Sequence, residues 1–95
     1  MKSDYTYVID HNQRLVTIID LDKGNTSVTN NAENVLVEIR NSSGSLVEVY
    51  DIIYQDSEGM WDTIIPVWSF GRCLSVSFKQ GVPTGKVPVT SNNRQ

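Results

Sequence analysis

The chain has 95 residues, enough for one small domain, and its single cysteine, Cys73, excludes an internal disulfide and a cysteine-rich zinc module. Eleven Asp and Glu residues against eight Lys and Arg give a net charge of −3, and every acidic residue lies at or before Asp62. An acidic chain is poorly matched to a phosphate backbone, so nucleic-acid binding is disfavoured. No apolar run reaches the roughly 20 residues of a membrane-spanning helix, and we expect a soluble intracellular protein.

Two β-type runs open the chain. Residues 5–10 alternate in polarity, residues 14–21 are rich in Val and Ile, and the polar residues 11–13 between them predict a short hairpin loop. Residues 20–28 are interpreted as a connection, because Gly24 and Asn25 tolerate positive φ.

One amphipathic helix is predicted after this connection. Its apolar stripe has the spacing i, i+3, i+4 and i+7, which is typical of one helix face. The stripe consists of Ala32, Val35, Leu36 and Ile39. Asn30 is suited to the N-cap, and Glu33 follows three positions later, as in a capping box. We expect this helix to end within residues 40–43, before Gly44.

The second half predicts a meander of three strands, over residues 46–55, 60–68 and 73–79, with turns at residues 56–59 and 69–72. The expected fold class is therefore α+β, in the order β-β-α-β-β-β. A mostly antiparallel sheet of about five strands would carry the helix on one face. Its other face would be solvated or covered by a second copy. Strands two to four are apolar on both sides, which favours a homodimer or a protein-binding face. We expect a single domain over residues 1–80 and an extended or disordered tail over residues 81–95.

Catalytic candidates are few in this sequence. His11 is the sole histidine, and Asp10 and Asn12 flank it, but it falls in a predicted turn. The segment Asp20-Leu21-Asp22 begins like a calcium loop, although the later ligand positions of such a loop are not filled. A small metal-dependent hydrolase around His11 and Asp20/Asp22 is kept as an alternative. The favoured hypothesis is a non-enzyme without catalytic residues, cofactor or metal.

The basic residues suggest a second alternative. Residues 63–95 contain no acid and carry a charge of +4, from Arg72, Lys79, Lys86 and Arg94. If Arg72 and Lys79 faced one way, this part of the chain could associate weakly with nucleic acid.

Aromatic and acidic residues surround the predicted turn at residues 56–59. Aromatic side chains in so small a sheet usually form its core, and this interpretation applies to Tyr50, Tyr54, Trp61, Trp68 and Phe70. The alternative is an exposed contact surface, because Trp and Tyr bury much area at binding hot spots. On that interpretation, the predicted protein-binding site comprises Tyr54, Asp56, Glu58, Trp61 and Asp62.

The segments SVTNNAENVL (residues 27–36) and IYQDSEGMWD (residues 53–62) resemble parts of small proteins of unassigned function that bacteriophages and prophages carry. The resemblance implies a single α+β domain in the cytoplasm of a bacterial host. It also implies a phage accessory protein that inhibits or modulates a host or anti-phage defence protein. The acidic residues at the predicted site would contact a basic patch on that partner.

Overall fold

The computed structural model describes residues 5–31, 33–53 and 62–84, and every regular element within these ranges is a β-strand. A five-stranded sheet comes first along the chain. Its strands are β1 (Tyr5–Asp10), β2 (Leu15–Asp20), β3 (Gly24–Asn30), β4 (Asn34–Asn41) and β5 (Leu46–Ile53). A three-stranded sheet follows, and it consists of β6 (Asp62–Ser69), β7 (Arg72–Lys79) and β8 (Val82–Pro83).

Strands that are consecutive in the chain are neighbours in each sheet, and every pair is antiparallel. The connections are correspondingly short. Phe70 and Gly71 join β6 to β7 with φ values of 52° and 78°, and Gln80 and Gly81 join β7 to β8 with 55° and 80°. Positive φ at both central residues is the signature of a type I′ turn, whose twist suits a two-residue hairpin.

The two sheets pack by their inner faces, because apolar side chains alternate with more exposed ones along β2, β4, β6 and β7. One register row of the larger sheet runs through Val16, Val28 and Val37 and ends at the half-buried Tyr50 on β5. Both sheets contribute to a single core. Its buried apolar residues are Val16, Ile18, Val28, Val35, Val37, Ile39, Ile65, Val67, Leu74, Val76 and Phe78.

Polar contacts join the sheets around this core. Three of them involve side chains of β2 and β3: the Asp20–Arg72 ion pair, the Thr26–Ser69 hydroxyl pair and the Asn30 amide, which donates to the Gly81 carbonyl at 2.8 Å. The fourth lies at one edge, between the Tyr50 hydroxyl and the backbone of Trp68. Hydrogen bonding compensates the desolvation of these partly or fully buried groups.

The expected α+β fold class is wrong, because the predicted helix is a strand. Residues 34–41 form β4, in which Val35, Val37 and Ile39 are buried and the intervening side chains are more exposed. Val35 and Ile39 are four positions apart, a spacing that fits both a helical stripe and a period of two. Val37 decides between the two patterns, because it extends the period of two and lies off the helical stripe.

The capping residues of the predicted helix have other roles. The Asn30 side chain is buried and donates its hydrogen bond to the turn before β8, at Gly81, rather than capping a helix. Glu33 is exposed in the connection between β3 and β4. Ala32, the first residue of the predicted stripe, lies outside the described residues. The capping-box pattern is therefore a coincidence of residue types in a strand–loop–strand segment.

Two further predictions about the sheet need correction. The segment interpreted as a connection, residues 20–28, contains most of β3. The inner face of this strand carries the buried polar residues Thr26 and Asn30 beside Val28. The three-strand meander is divided: β5 ends the larger sheet, whereas β6 and β7 belong to the smaller one. The expected antiparallel pairing is confirmed. Residues 81–84 belong to the β7–β8 hairpin, and the rest of the expected tail lies outside the described residues.

Gly24 gives a direct test of the register between β3 and β4. It is buried at a φ of 141°, and a Cβ atom there would lie 2.0 Å from the Arg40 carbonyl oxygen. Because that oxygen is backbone, it cannot move without disturbing β4. We expect Gly24→Ala to lower the free energy of unfolding by about 3 kcal/mol, measured by urea denaturation.

Gly44 is the matched control, because it has a φ of 87° and no atom within 4 Å of the place that a Cβ would occupy. Gly44→Ala therefore adds backbone strain without a clash, and we expect a loss of about 1 kcal/mol. Equal losses for the two variants would contradict the close approach of β3 to Arg40.

Candidate protein-binding surface

Most of the predicted protein-binding site lies outside the described residues: this applies to Tyr54, Asp56, Glu58 and Trp61. Asp62 is described and begins β6. Its side chain is exposed, and its Oδ1 accepts a hydrogen bond from the Gln80 backbone N–H at 2.9 Å. Asp62 thus stabilises the β7–β8 turn and still presents a carboxylate to solvent.

The described aromatic residues divide between core and surface. Trp68 is 55% exposed on the outer face of β6, so the interpretation of this residue as core is wrong. Phe70 is partly buried and packs against the core. Tyr50 is half-buried, with its ring against the core and its hydroxyl at the boundary between the sheets.

The edge strands β5 and β6 lie next to each other on one side of the sandwich, which we call the open side. Each is the terminal strand of its sheet. The Tyr50 hydroxyl joins them, because it donates to the Trp68 carbonyl at 3.0 Å and accepts from the Trp68 N–H at 2.6 Å. These contacts show that the backbone groups of Trp68 face β5 rather than β7.

Exposed apolar side chains are concentrated on the open side. Six of the nine exposed large hydrophobic residues in the described ranges belong to β5 or β6. They are Leu46, Val47, Val49 and Ile53 on β5, and Ile64 and Trp68 on β6. Ile53 and Ile64 are 76% and 64% exposed. Exposed apolar side chains grouped on two edge strands make this side a candidate interaction site, whereas single exposed apolar residues are ordinary.

The charge of the open side is negative. Strands β5 and β6 contain three acidic residues, Glu48, Asp51 and Asp62, and no Lys or Arg. Glu48 and Asp51 lie on β5, and both are exposed. The Asp51 Oδ1 accepts a hydrogen bond from the Asn34 amide at 3.2 Å, and no hydrogen bond from the described residues reaches the Glu48 carboxylate. The described part of this surface therefore combines apolar and acidic side chains.

Tyr50 is the one described residue with a resolved change in pKa. Burial raises the pKa of its hydroxyl above the ordinary value of 10.0, and the charges of Glu48 and Cys73 raise it further, whereas the hydrogen bond with the Trp68 backbone opposes them. The hydroxyl is consequently protonated at neutral pH, which allows it to donate to the Trp68 carbonyl.

The groups considered for catalysis do not come together. His11 is exposed in the β1–β2 turn, where Asp10 accepts hydrogen bonds from the Asn12 and Gln13 backbones, both at 3.0 Å. Asp20 lies at the opposite end of β2, roughly 16 Å away at the usual rise per residue. Its carboxylate contacts the turn amides of Asp22 and Lys23 and the Arg72 guanidinium.

The basic residues of the nucleic-acid alternative do not share a face. The Arg72 side chain points inward and pairs with Asp20, whereas Lys79 is exposed on the outer face of β7. Lys86 and Arg94 lie outside the described residues. Within the described part of the chain, the structure provides no basic stripe.

Sequence reasoning missed the β5 part of the open side. It predicted residues 46–55 as the first strand of a three-strand meander and placed the binding site around the turn at residues 56–59. The available signal was the pair Glu48 and Asp51, because charges on both faces of a strand are typical of an edge. Val47, Val49 and Ile53 are exposed beside them.

The Tyr50 hydroxyl gives the testable prediction for this surface. Tyr50→Phe removes two hydrogen bonds to the Trp68 backbone, and we expect a loss of about 1–2 kcal/mol in the free energy of unfolding at pH 7. Because the folded-state pKa is raised, the contribution of Tyr50 is fully present below pH 10 and is lost as the pH rises through that higher value.

Urea denaturation at pH 7 and pH 11 measures both effects. The wild-type protein should lose more stability than Tyr50→Phe between these two pH values, so the two proteins should converge at the higher pH. A constant difference between them would contradict the role given to the hydroxyl.

Two kinds of feature are absent from the described ranges. No helix there has the length and apolar character that a membrane crossing requires, and no group of three His, Cys, Asp or Glu side chains is placed to hold a metal ion. Comparisons of the chain with protein-family models, curated proteins and solved structures found no match.

Proposed function

We propose that this chain is a non-enzymatic protein-binding module whose open side binds a partner protein with a basic patch. The supporting observation is the combination of apolar and acidic side chains on β5 and β6. Val49, Ile53 and Trp68 offer area that binding would remove from water, and Glu48 and Asp51 add negative charge on the same edge.

The two kinds of side chain serve different steps of binding. Long-range attraction between the acidic side and a basic patch accelerates encounter, and it weakens as salt is added. Desolvated apolar contacts, above all at an aromatic residue such as Trp68, slow dissociation. A second copy of the chain is a poorer partner, because it would bring an acidic side against an identical acidic side.

The biological role belongs to the same proposal and is supported only by the sequence resemblance. On that basis the partner is a host or anti-phage defence protein in the bacterial cytoplasm, and binding inhibits or modulates it. The predicted residues Tyr54, Asp56, Glu58, Trp61 and Asp62 follow β5 in the chain and extend the acidic segment.

Charge reversal on the open side tests the proposal. The double variant Glu48→Lys/Asp51→Lys should capture the partner from bacterial lysate about tenfold less well than wild type, because attraction becomes repulsion. Quantitative mass spectrometry of the captured proteins, at low and at physiological salt, is the measurement.

The matched control is Asp22→Lys/Glu33→Lys. Both residues are exposed in connections between strands rather than on β5 or β6, and the double substitution changes the net charge by the same amount. This control should retain the partner. If the two double variants lose every captured protein equally, or retain every one equally, the assignment to the open side is wrong.

A further inference from the structure

We infer that the open edge of β5 binds an extended segment of the partner as an additional β-strand. Basic side chains of that segment lie opposite Glu48 and Asp51, and an apolar side chain lies opposite Val49. This inference rests on the proposed function and specifies its binding mode. The partner class is an extended peptide segment in which two Lys or Arg residues, three positions apart, are separated by β-branched residues.

The first argument is that β5 has one unpaired edge within the described residues. It is the last strand of its sheet, it has eight residues, and it pairs only with β4. Such an edge presents a row of backbone donors and acceptors to other chains, unless proline, lysine or a covering element blocks it. The β5 sequence LVEVYDII contains neither proline nor lysine.

The hydrogen bonds of β4 identify the free backbone groups. The Asn41 N–H donates to the Ser45 carbonyl at 2.9 Å, so Asn41 faces the β5 side of β4. The Asn34 carbonyl accepts from the Asn31 N–H at 2.9 Å, so Asn34 faces β3. Because backbone groups alternate along a strand, the odd-numbered residues of β4 bond to β5.

The register between β4 and β5 shows which backbone groups of β5 bond to β4. The β4 residues that face β5 lie opposite Glu48, Tyr50 and Ile52, whose backbone groups are therefore used within the sheet. The N–H and C=O groups of Val49 and Asp51 consequently point toward the open edge, together with those of Ile53. A partner strand would pair with these residues.

The side chains along the edge indicate what that strand carries. Glu48 lies beside the inner face, whereas Val49 and Asp51 lie on the outer face of the sheet. Opposite charges directly across a strand pair stabilise it, and so do apolar β-branched pairs. A strand that reads Val-Thr-Lys-Thr-Val-Lys places lysine opposite both carboxylates when it runs antiparallel to β5.

By comparison, the β6 edge of the smaller sheet is protected against the addition of a further strand. Pro66 lies on β6 two residues from Trp68, in the same alternating set, so its nitrogen faces the edge and offers no donor. The Trp68 backbone is already bonded to the Tyr50 hydroxyl. At the other end of that sheet, β8 has only two residues, one of them Pro83.

The probe for the test is the synthetic peptide Val-Thr-Lys-Thr-Val-Lys, and the control peptide has both lysines replaced by glutamate. Isotope-labelled full-length protein is titrated with each and followed by NMR. With the lysine peptide, we expect the amides of Val49, Asp51 and Ile53 to shift and to exchange with solvent at least tenfold more slowly. The glutamate peptide should leave them unchanged.

Three results would overturn the inference. The first is no response of these amides to the lysine peptide at millimolar concentration. The second is an equal response to both peptides. The third is slow exchange of the three amides in the free protein, which would mean that another part of the chain or a second copy already covers the edge.

A pair of variants tests the backbone contribution. Val49→Pro removes an N–H that faces the edge and leaves the ladder to β4 intact, whereas Val49→Ala keeps that N–H and shortens the side chain. We expect Val49→Pro to bind the lysine peptide at least tenfold more weakly than Val49→Ala. Equal binding by two variants that melt at similar temperatures would contradict strand addition. If either variant fails to fold, the titration of the wild-type protein still tests the inference.

The outcomes separate the binding mode from the proposed function. If Glu48→Lys/Asp51→Lys loses the lysate partner but the peptide does not alter the Val49 and Asp51 amides, the open side binds by another mode. If Glu48→Lys/Asp51→Lys keeps the partner as the control double variant does, the proposed function itself fails.

Discussion

Each sheet of this protein has one apolar face, and that face is removed from water only when the other sheet covers it. Buried side chains such as Val28 and Val37 from the larger sheet share one core with side chains such as Val67 and Val76 from the smaller one. Full burial of one such side chain contributes roughly 1.5–3 kcal/mol relative to exposure. This packing sets the positions of the polar contacts around the core and brings β5 beside β6.

The antiparallel pairing and several strands follow from the sequence, because alternation in a strand is a local property. Residues 5–10 alternate and form β1, and residues 73–79 alternate and lie within β7. The β6–β7 turn could also be found, since Gly71 follows Phe70 between two β-type runs. These features need no knowledge of what each strand packs against.

The helix and the missing strand show where local patterns fail. Leu36 completed a helical stripe with Val35 and Ile39, but its side chain lies on the outer face of β4 and is only half-buried. Strand β3 was missed because its inner face carries the polar residues Thr26 and Asn30. These side chains are hydrogen-bonded to Ser69 and Gly81, which are distant in the sequence. The sequence predicted the acidic residues of the binding site around Asp62. It could not predict the β5 edge, because that requires knowing which strand ends the sheet.

The order of the strands along the chain affects how the molecule unfolds. Among the described strands, every ladder of hydrogen bonds lies within residues 5–53 or within residues 62–84, so neither sheet includes a described strand from the other stretch. Yet either stretch alone would leave half of the interior in contact with water. Unfolding of one sheet therefore destabilises the other, and the molecule should unfold as a single cooperative unit.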